Sequence, residues 1–197
     1  MTLTHIKQSI ASGFLVGIGC MCYASIENHY IGAFLFSIAL CSICLLTIPL
    51  FTGRIYLVTT KRNQHLISML VFNLFGALIA KMIGTLGGID FYAIGQTKLL
   101  KNPLKFFFMA VICGILMTLA VEGFKRSKSL SIVVMCIMGF ILCGGEHCIA
   151  NMVYFNFPPT IKSLTYLIIN IMGNALGSIG IWYLLRRTTN DSKILSR

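Results

Sequence analysis

Six predominantly apolar stretches follow one another along the chain, at roughly Ile10 to Ile26, Ile31 to Pro49, Leu66 to Gly87, Pro103 to Val121, Leu130 to Phe155 and Leu164 to Leu185. Each is long enough to cross a hydrocarbon layer as a helix, which needs about 20 residues. The polar link Glu27-Asn28-His29 is so short that the first two helices must run antiparallel side by side. Two stretches are interrupted. In Thr47-Ile48-Pro49-Leu50-Phe51-Thr52-Gly53-Arg54, Pro49 removes a backbone donor and Gly53 permits unusual dihedrals, so a break is expected before a short helix over about 55–60. In the fifth stretch, Gly144-Gly145 lets the backbone bend just before Glu146-His147.

Composition narrows the class. The chain is 57% hydrophobic and 11% charged, with mean hydropathy +0.87, which fits an integral membrane protein and excludes an ordinary soluble domain. A net charge of +11 would suit a nucleic-acid binder, but the cations fall in alternate connections. One side holds Lys7, Arg54, Lys61, Arg62, Lys125, Arg126, Lys128, Arg186, Arg187, Lys193 and Arg197. The other holds Lys98, Lys101, Lys105 and Lys162 with Glu27 and Asp90, while Lys81 lies within the third span and can snorkel outward. The positive-inside rule then places both termini in the cytoplasm, with no nucleic-acid partner. The first span lacks a small-residue cleavage site and reads as a permanent helix, so residues 1–197 form one transmembrane domain in contact with lipid.

His147 is the one deep histidine, since His5, His29 and His65 stand at span ends. A carboxylate beside an imidazole inside an apolar segment is costly toward lipid, so Glu146-His147 should face the bundle interior or a water-filled path. The pair is too sparse for zinc, and no cofactor motif is visible. All eight cysteines lie inside spans, where thiols behave as small apolar groups. Cys41-Ser42-Ile43-Cys44 has redox spacing, which leaves a membrane thiol oxidoreductase as a rival reading.

The two halves echo each other. Asn73 and Gly76 recur 97 positions on as Asn170 and Gly173, and the same offset carries Gly17 to Gly114 and the 49–54 break onto Glu146 to Asn151. Three spans per half make the second copy inverted. The expected fold is all-α, with six transmembrane helices in a 3+3 inverted repeat (about 7–89 and 103–187), broken helices 2 and 5, and a topology similar to aquaporins. Such repeats put the permeation site at their interface near the midplane. The loop 90–101 reads as a polar connection, and Glu122 to Lys128 as a loop on the cytoplasmic side.

These residues resemble the formate/nitrite transporter family of bacterial anion channels. The likeness is strongest in Gly145-Glu146-His147-Cys148-Ile149-Ala150-Asn151-Met152 and in Leu50-Phe51-Thr52-Gly53, supported by Gly173-Asn174 with Gly177 and by Asn73 with Gly76. The resemblance implies a homopentamer in a bacterial inner membrane, with a pore in each protomer and apolar constrictions flanking the histidine. By motif and spacing these would use Phe36, Leu40, Leu50, Phe51 and Phe140, with Thr52 facing His147 across the pore. Asn151 and Asn174 join the pathway through the same motifs. Departures from the family pattern stand at Arg54 and Gly114 (commonly asparagine), Glu122 (commonly aromatic) and Cys148 (commonly serine). The expected vestibule lysine falls on Ser129, beside Lys128.

The function expected is a channel or transporter for a small monovalent anion or its weak acid, not an enzyme. Arg54, Lys125, Arg126 and Lys128 would draw the anion to the cytoplasmic vestibule. Protonation, set by the vestibule field or by exchange with His147, would remove the desolvation cost of the apolar constriction, with Glu146 orienting backbone or balancing charge. The alternatives are a pore for hydrosulfide, hydrogen sulfide or another small neutral solute, and a structural membrane subunit.

Overall fold

The computed structural model describes residues 2–59 and 65–185, so the cytoplasmic-side cations expected at Lys61, Arg62, Arg186, Arg187, Lys193 and Arg197 lie outside the described residues. Among the described residues the chain is all helical: α1 (Leu3–Ala24), α2 (His29–Leu46), α3 (Leu66–Leu86), α4 (Tyr92–Leu99), α5 (Pro103–Ser127), α6 (Leu130–Leu142), α7 (Cys148–Tyr154) and α8 (Ile161–Leu185), with a 3₁₀ turn over Ile55–Thr59. Four of them, α2, α3, α5 and α8, are long and apolar enough to cross a membrane, and α6 is a shorter apolar helix.

Helix starts follow local chemistry. Asn28 and Asn102 each accept two backbone N–H groups of the following turn, and Pro103 occupies a first-turn position where no donor is needed. Both expected interruptions are present. The first is set by Thr47, which adopts φ 56° at the end of α2, and not by Gly53, whose neighbour is the Val121 side chain. The second is set by Gly144 at φ 80°, where a side chain would be strained, after which Gly145 N–H closes on the Phe140 carbonyl at 2.7 Å.

Two regions differ from the sequence expectation. The connection 90–101 contains helix α4, and α5 continues through Glu122 and Lys125 to Ser127 instead of ending near Val121. The spacing Glu122–Lys125, an i,i+3 ion pair of 2.7 Å, stabilises that extra turn.

Close packing concentrates in α1 against α3 and α5 against α8. A Cβ on Gly13 would lie 1.9 Å from the Asn73 carbonyl oxygen, and one on Gly114 2.2 Å from that of Asn174. Gly76 abuts the Ile10 carbonyl and Gly177 that of Val111. Gly13 to Gly114, Asn73 to Asn174 and Gly76 to Gly177 are all 101 apart, one helical turn beyond the 97 read from sequence. Asn170 and Gly173 sit one turn earlier on the same face of α8. Because lipid supplies no hydrophobic drive between helices, these backbone approaches carry the association. Gly177→Val places Cβ 2.0 Å from the Val111 carbonyl oxygen. The expected outcome is near-complete loss of the monodisperse peak in size-exclusion chromatography, whereas Gly180→Ala, with open space around it, leaves that peak intact.

Candidate functional site

The two chain breaks meet at the centre of the protein, and each is held by one asparagine. Asn73 accepts from Phe51 N–H at 2.8 Å and donates to the Ser9 and Pro49 carbonyls. Asn174 accepts from Cys148 N–H at 2.9 Å and donates to the Ala110 and Glu146 carbonyls. The helix-free backbone is thus satisfied by side chains of α3 and α8, as buried amides require. Asn174→Leu would leave Cys148 N–H without its partner, while the Glu146 carbonyl keeps its bond from Asn170. The expected cost is about 1–3 kcal/mol, read as a fall in thermal midpoint of the detergent-solubilised protein.

These brackets set His147 and Thr52 face to face, with Thr52 Oγ1 2.8 Å from His147 Nε2, both buried. His147 is also the N-cap of α7, its Nδ1 accepting from Ala150 N–H at 3.2 Å. The network assigns the tautomer. Nδ1 must carry a lone pair, so the neutral ring bears its proton on Nε2 and donates it to Thr52. Protonating Nδ1 would set two donors against each other and cost the cap. The Phe140 ring stacks on the imidazole at 6.0 Å, and Phe36 meets Phe140 edge-on at 6.2 Å.

Glu146 is fully buried, and its carboxylate is saturated with donors. Lys98 Nζ lies 2.6 Å and Asn151 Nδ2 2.9 Å from Oε2, while Lys101 Nζ lies 2.5 Å from Oε1. Asn170 donates both to the Glu146 carbonyl at 2.6 Å and, through its other atom, accepts from Asn151 at 2.6 Å. The lysine side chains keep partial exposure, 16% for Lys98 and 29% for Lys101. Two ammonium groups on one carboxylate leave a net positive site. The charge pattern puts Lys98 and Lys101 in an outer loop, and the family spacing puts the vestibule lysine at Ser129, which instead stands exposed at the start of α6 with no capping bond from its side chain. The recoverable signal was a carboxylate in an apolar span that requires counter-charge, with two lysines three apart in the nearest polar stretch.

Two cavities of about 190 Å³ each approach this centre from opposite sides. The first is lined by Lys98, Lys101, Asn151, His147, Phe36 and Phe140, among others. The second is lined by Leu50, Gly53, Arg54, Lys125, Lys128 and Cys44, among others. Leu40 and Phe51 are buried in the core and line neither, and Asn174 acts on backbone only. Arg126 is exposed and lines neither cavity. Arg54 donates to the Thr47 carbonyl at 3.2 Å, tying its guanidinium to the first break. Lys81 donates to the Phe155 carbonyl at the end of α7, where a cation meets the negative end of the helix. Cys148 is buried, with its thiol outside both cavities. Among the described residues, no group of three or more His, Cys, Asp or Glu side chains could hold a metal ion.

Comparison with known proteins gives one family and a common fold. The model of the family described as "Formate/nitrite transporter" matches residues 2–187. A solved "FNT family ion channel" superposes with TM-score 0.79 at 21% identity, covering 93% of this chain and 91% of that one. A solved "Pentameric formate channel with formate bound" superposes with TM-score 0.74 at 24% identity, covering 92% of this chain and 96% of that one. No curated protein matches the chain. A family of channels and transporters is not one of enzymes, which removes the thiol-oxidoreductase reading of Cys41 and Cys44. The match over 186 of 197 residues leads to one conclusion: the chain belongs to the formate/nitrite transporter family.

Proposed function

We propose that the protein carries a small monovalent anion of the formate and nitrite class across a membrane, between the two cavities and past His147, in the form of its neutral acid. Six spans are built from α1, α2 with its 3₁₀ turn, α3, α5, α6 with α7, and α8, arranged as two inverted halves. The protomers assemble as a homopentamer in a bacterial inner membrane, like the formate-bound pentamer it resembles, with both termini in the cytoplasm.

The reading is carried by a neutral imidazole wedged between two positively charged cavities. Lys98 and Lys101 on one side, and Arg54, Lys125 and Lys128 on the other, concentrate anions at each mouth. Phe36, Phe140, Leu40, Leu50 and Phe51 close the way between the mouths with buried apolar groups. A bare anion crosses such a barrier at high desolvation cost, and its acid crosses at far less. Cap geometry favours protonation of the substrate in the cavity over exchange with the ring, since an imidazolium would give up its bond from Ala150 N–H. His147 then acts as a neutral donor that, with Thr52, replaces water for the passing acid. Asn151 and Asn170 keep the Glu146 carboxylate turned toward the two lysines.

The test is uptake of formate, nitrite and hydrosulfide into proteoliposomes. At least one should permeate well above empty liposomes, with uptake rising as pH falls. If none of the three moves in correctly assembled protein, the anion assignment fails and neutral solutes replace it.

A further inference from the structure

Beside the second cavity, which reaches it only through Lys125, stands a carboxylate that anion attraction does not require. Glu122 and Lys125 lie on adjacent turns of one face of α5, and Tyr56, from the 3₁₀ turn beyond the first break, meets both. Lys125 Nζ stands 2.7 Å from Glu122 Oε1 and 2.7 Å from the Tyr56 oxygen, and the Tyr56 hydroxyl donates to the same Oε1. An ammonium and a phenol converging on one carboxylate oxygen are the charge-assisted donors that a free carboxylate seeks. The phenol is rigidly placed: Tyr56 is fully buried and lies against Trp182, with ring centroids 4.7 Å apart. Lys125 crosses the Tyr56 ring at 5.5 Å and remains half exposed, lining the cavity with Arg54 and Lys128. The Glu122 side chain, by contrast, is only 14% exposed.

We propose that Tyr56 and Lys125 form a binding site for a small monocarboxylate and that Glu122 occupies it as a tethered ligand. Tethering gives Glu122 a high effective concentration, so a free anion displaces it only when abundant. Where the protein transports anions as proposed above, the consequence is a mouth that attracts them through Arg54 and Lys128 without retaining them.

The assay needs no transport. Trp182 is the single tryptophan of the chain and reports on the adjoining phenol. Detergent-solubilised Glu122→Ala, titrated with sodium formate against sodium chloride at equal ionic strength, should show a saturable change in emission with formate only. Its midpoint should lie roughly tenfold or more below that of any change in the native protein. Adding Lys125→Met to Glu122→Ala should abolish the response. If Glu122→Ala does not assemble, Glu122→Gln, which keeps the shape and removes the charge, should show the same shift. A variant that responds no differently from native protein, or a double variant that still responds, overturns the proposal. Absence of flux in the native protein would instead overturn the transport reading and leave this result standing.

Discussion

Replacing Lys98 and Lys101 together by methionine is expected to remove most assembled protein and to cut formate flux through the remainder at least tenfold. The cause is the carboxylate, not the lysines themselves. Glu146 is fully buried, and both ammonium groups lie within 2.6 Å of its oxygens. Stripping the partners from a buried ion costs about 3–5 kcal/mol, a large share of the stability of a single domain. Adding Glu146→Gln to the double variant should restore assembly, because the amide needs no counter-charge and still accepts from Asn151. Flux should stay low, because the cavity has lost its cations. Thermal midpoint and formate uptake, measured on the same preparations, separate the two effects. Recovery of flux along with stability would mean that Lys98 and Lys101 only balance charge.

The second large effect is expected at His147. Asparagine can also cap α7 by accepting from Ala150 N–H, so His147→Asn should assemble. It lacks the Nε2–H that reaches Thr52 at 2.8 Å, and uptake should fall by about one order of magnitude, roughly the worth of one buried donor. The pH profile should keep its sign, with uptake still rising as pH falls, because the acid fraction of the substrate rises whatever residue stands at the constriction. If the ring itself exchanged the proton, the variant would lose that dependence. Initial rates across pH for native protein and His147→Asn decide between the two.

Much of this was readable from residues. The apolar stretches gave the helices, Gly144-Gly145 marked the second break, and Pro49 marked the region of the first, although Thr47 makes the turn itself. The rule that an ionisable group in a span must face protein singled out His147, while the pairing with Thr52 came through the family resemblance. What escaped did so for physical reasons. Helix α4 has eight residues with little apolar periodicity, so Lys98 and Lys101 looked like solvated loop cations. Their inward turn depends on Glu146, 45 or more positions away, and on Tyr166 holding the Lys101 carbonyl at 2.5 Å. The offset of 97 fits the two breaks, where Asn73 holds Pro49 and Phe51 as Asn174 holds Glu146 and Cys148, but the long-helix contacts are 101 apart. Helix α8 carries two Asn-x-x-Gly sets one turn apart, Asn170 with Gly173 and Asn174 with Gly177, and only contact geometry tells them apart. Charge ends the apolar run at Glu122 and so suggests a loop over 122–128, although the i,i+3 pair Glu122–Lys125 is itself a sign that the helix continues.

The central claim is that the anion crosses as its acid, and the direct measurement is proton movement during formate uptake. Proteoliposomes loaded with a pH-sensitive dye, at clamped membrane potential, should acidify by one proton per formate taken up. That uptake should not change when the potential is reversed. Formate uptake without acidification, accelerated or reversed by the potential, would mean that the bare anion crosses between Phe36, Phe140 and His147, and would contradict the account.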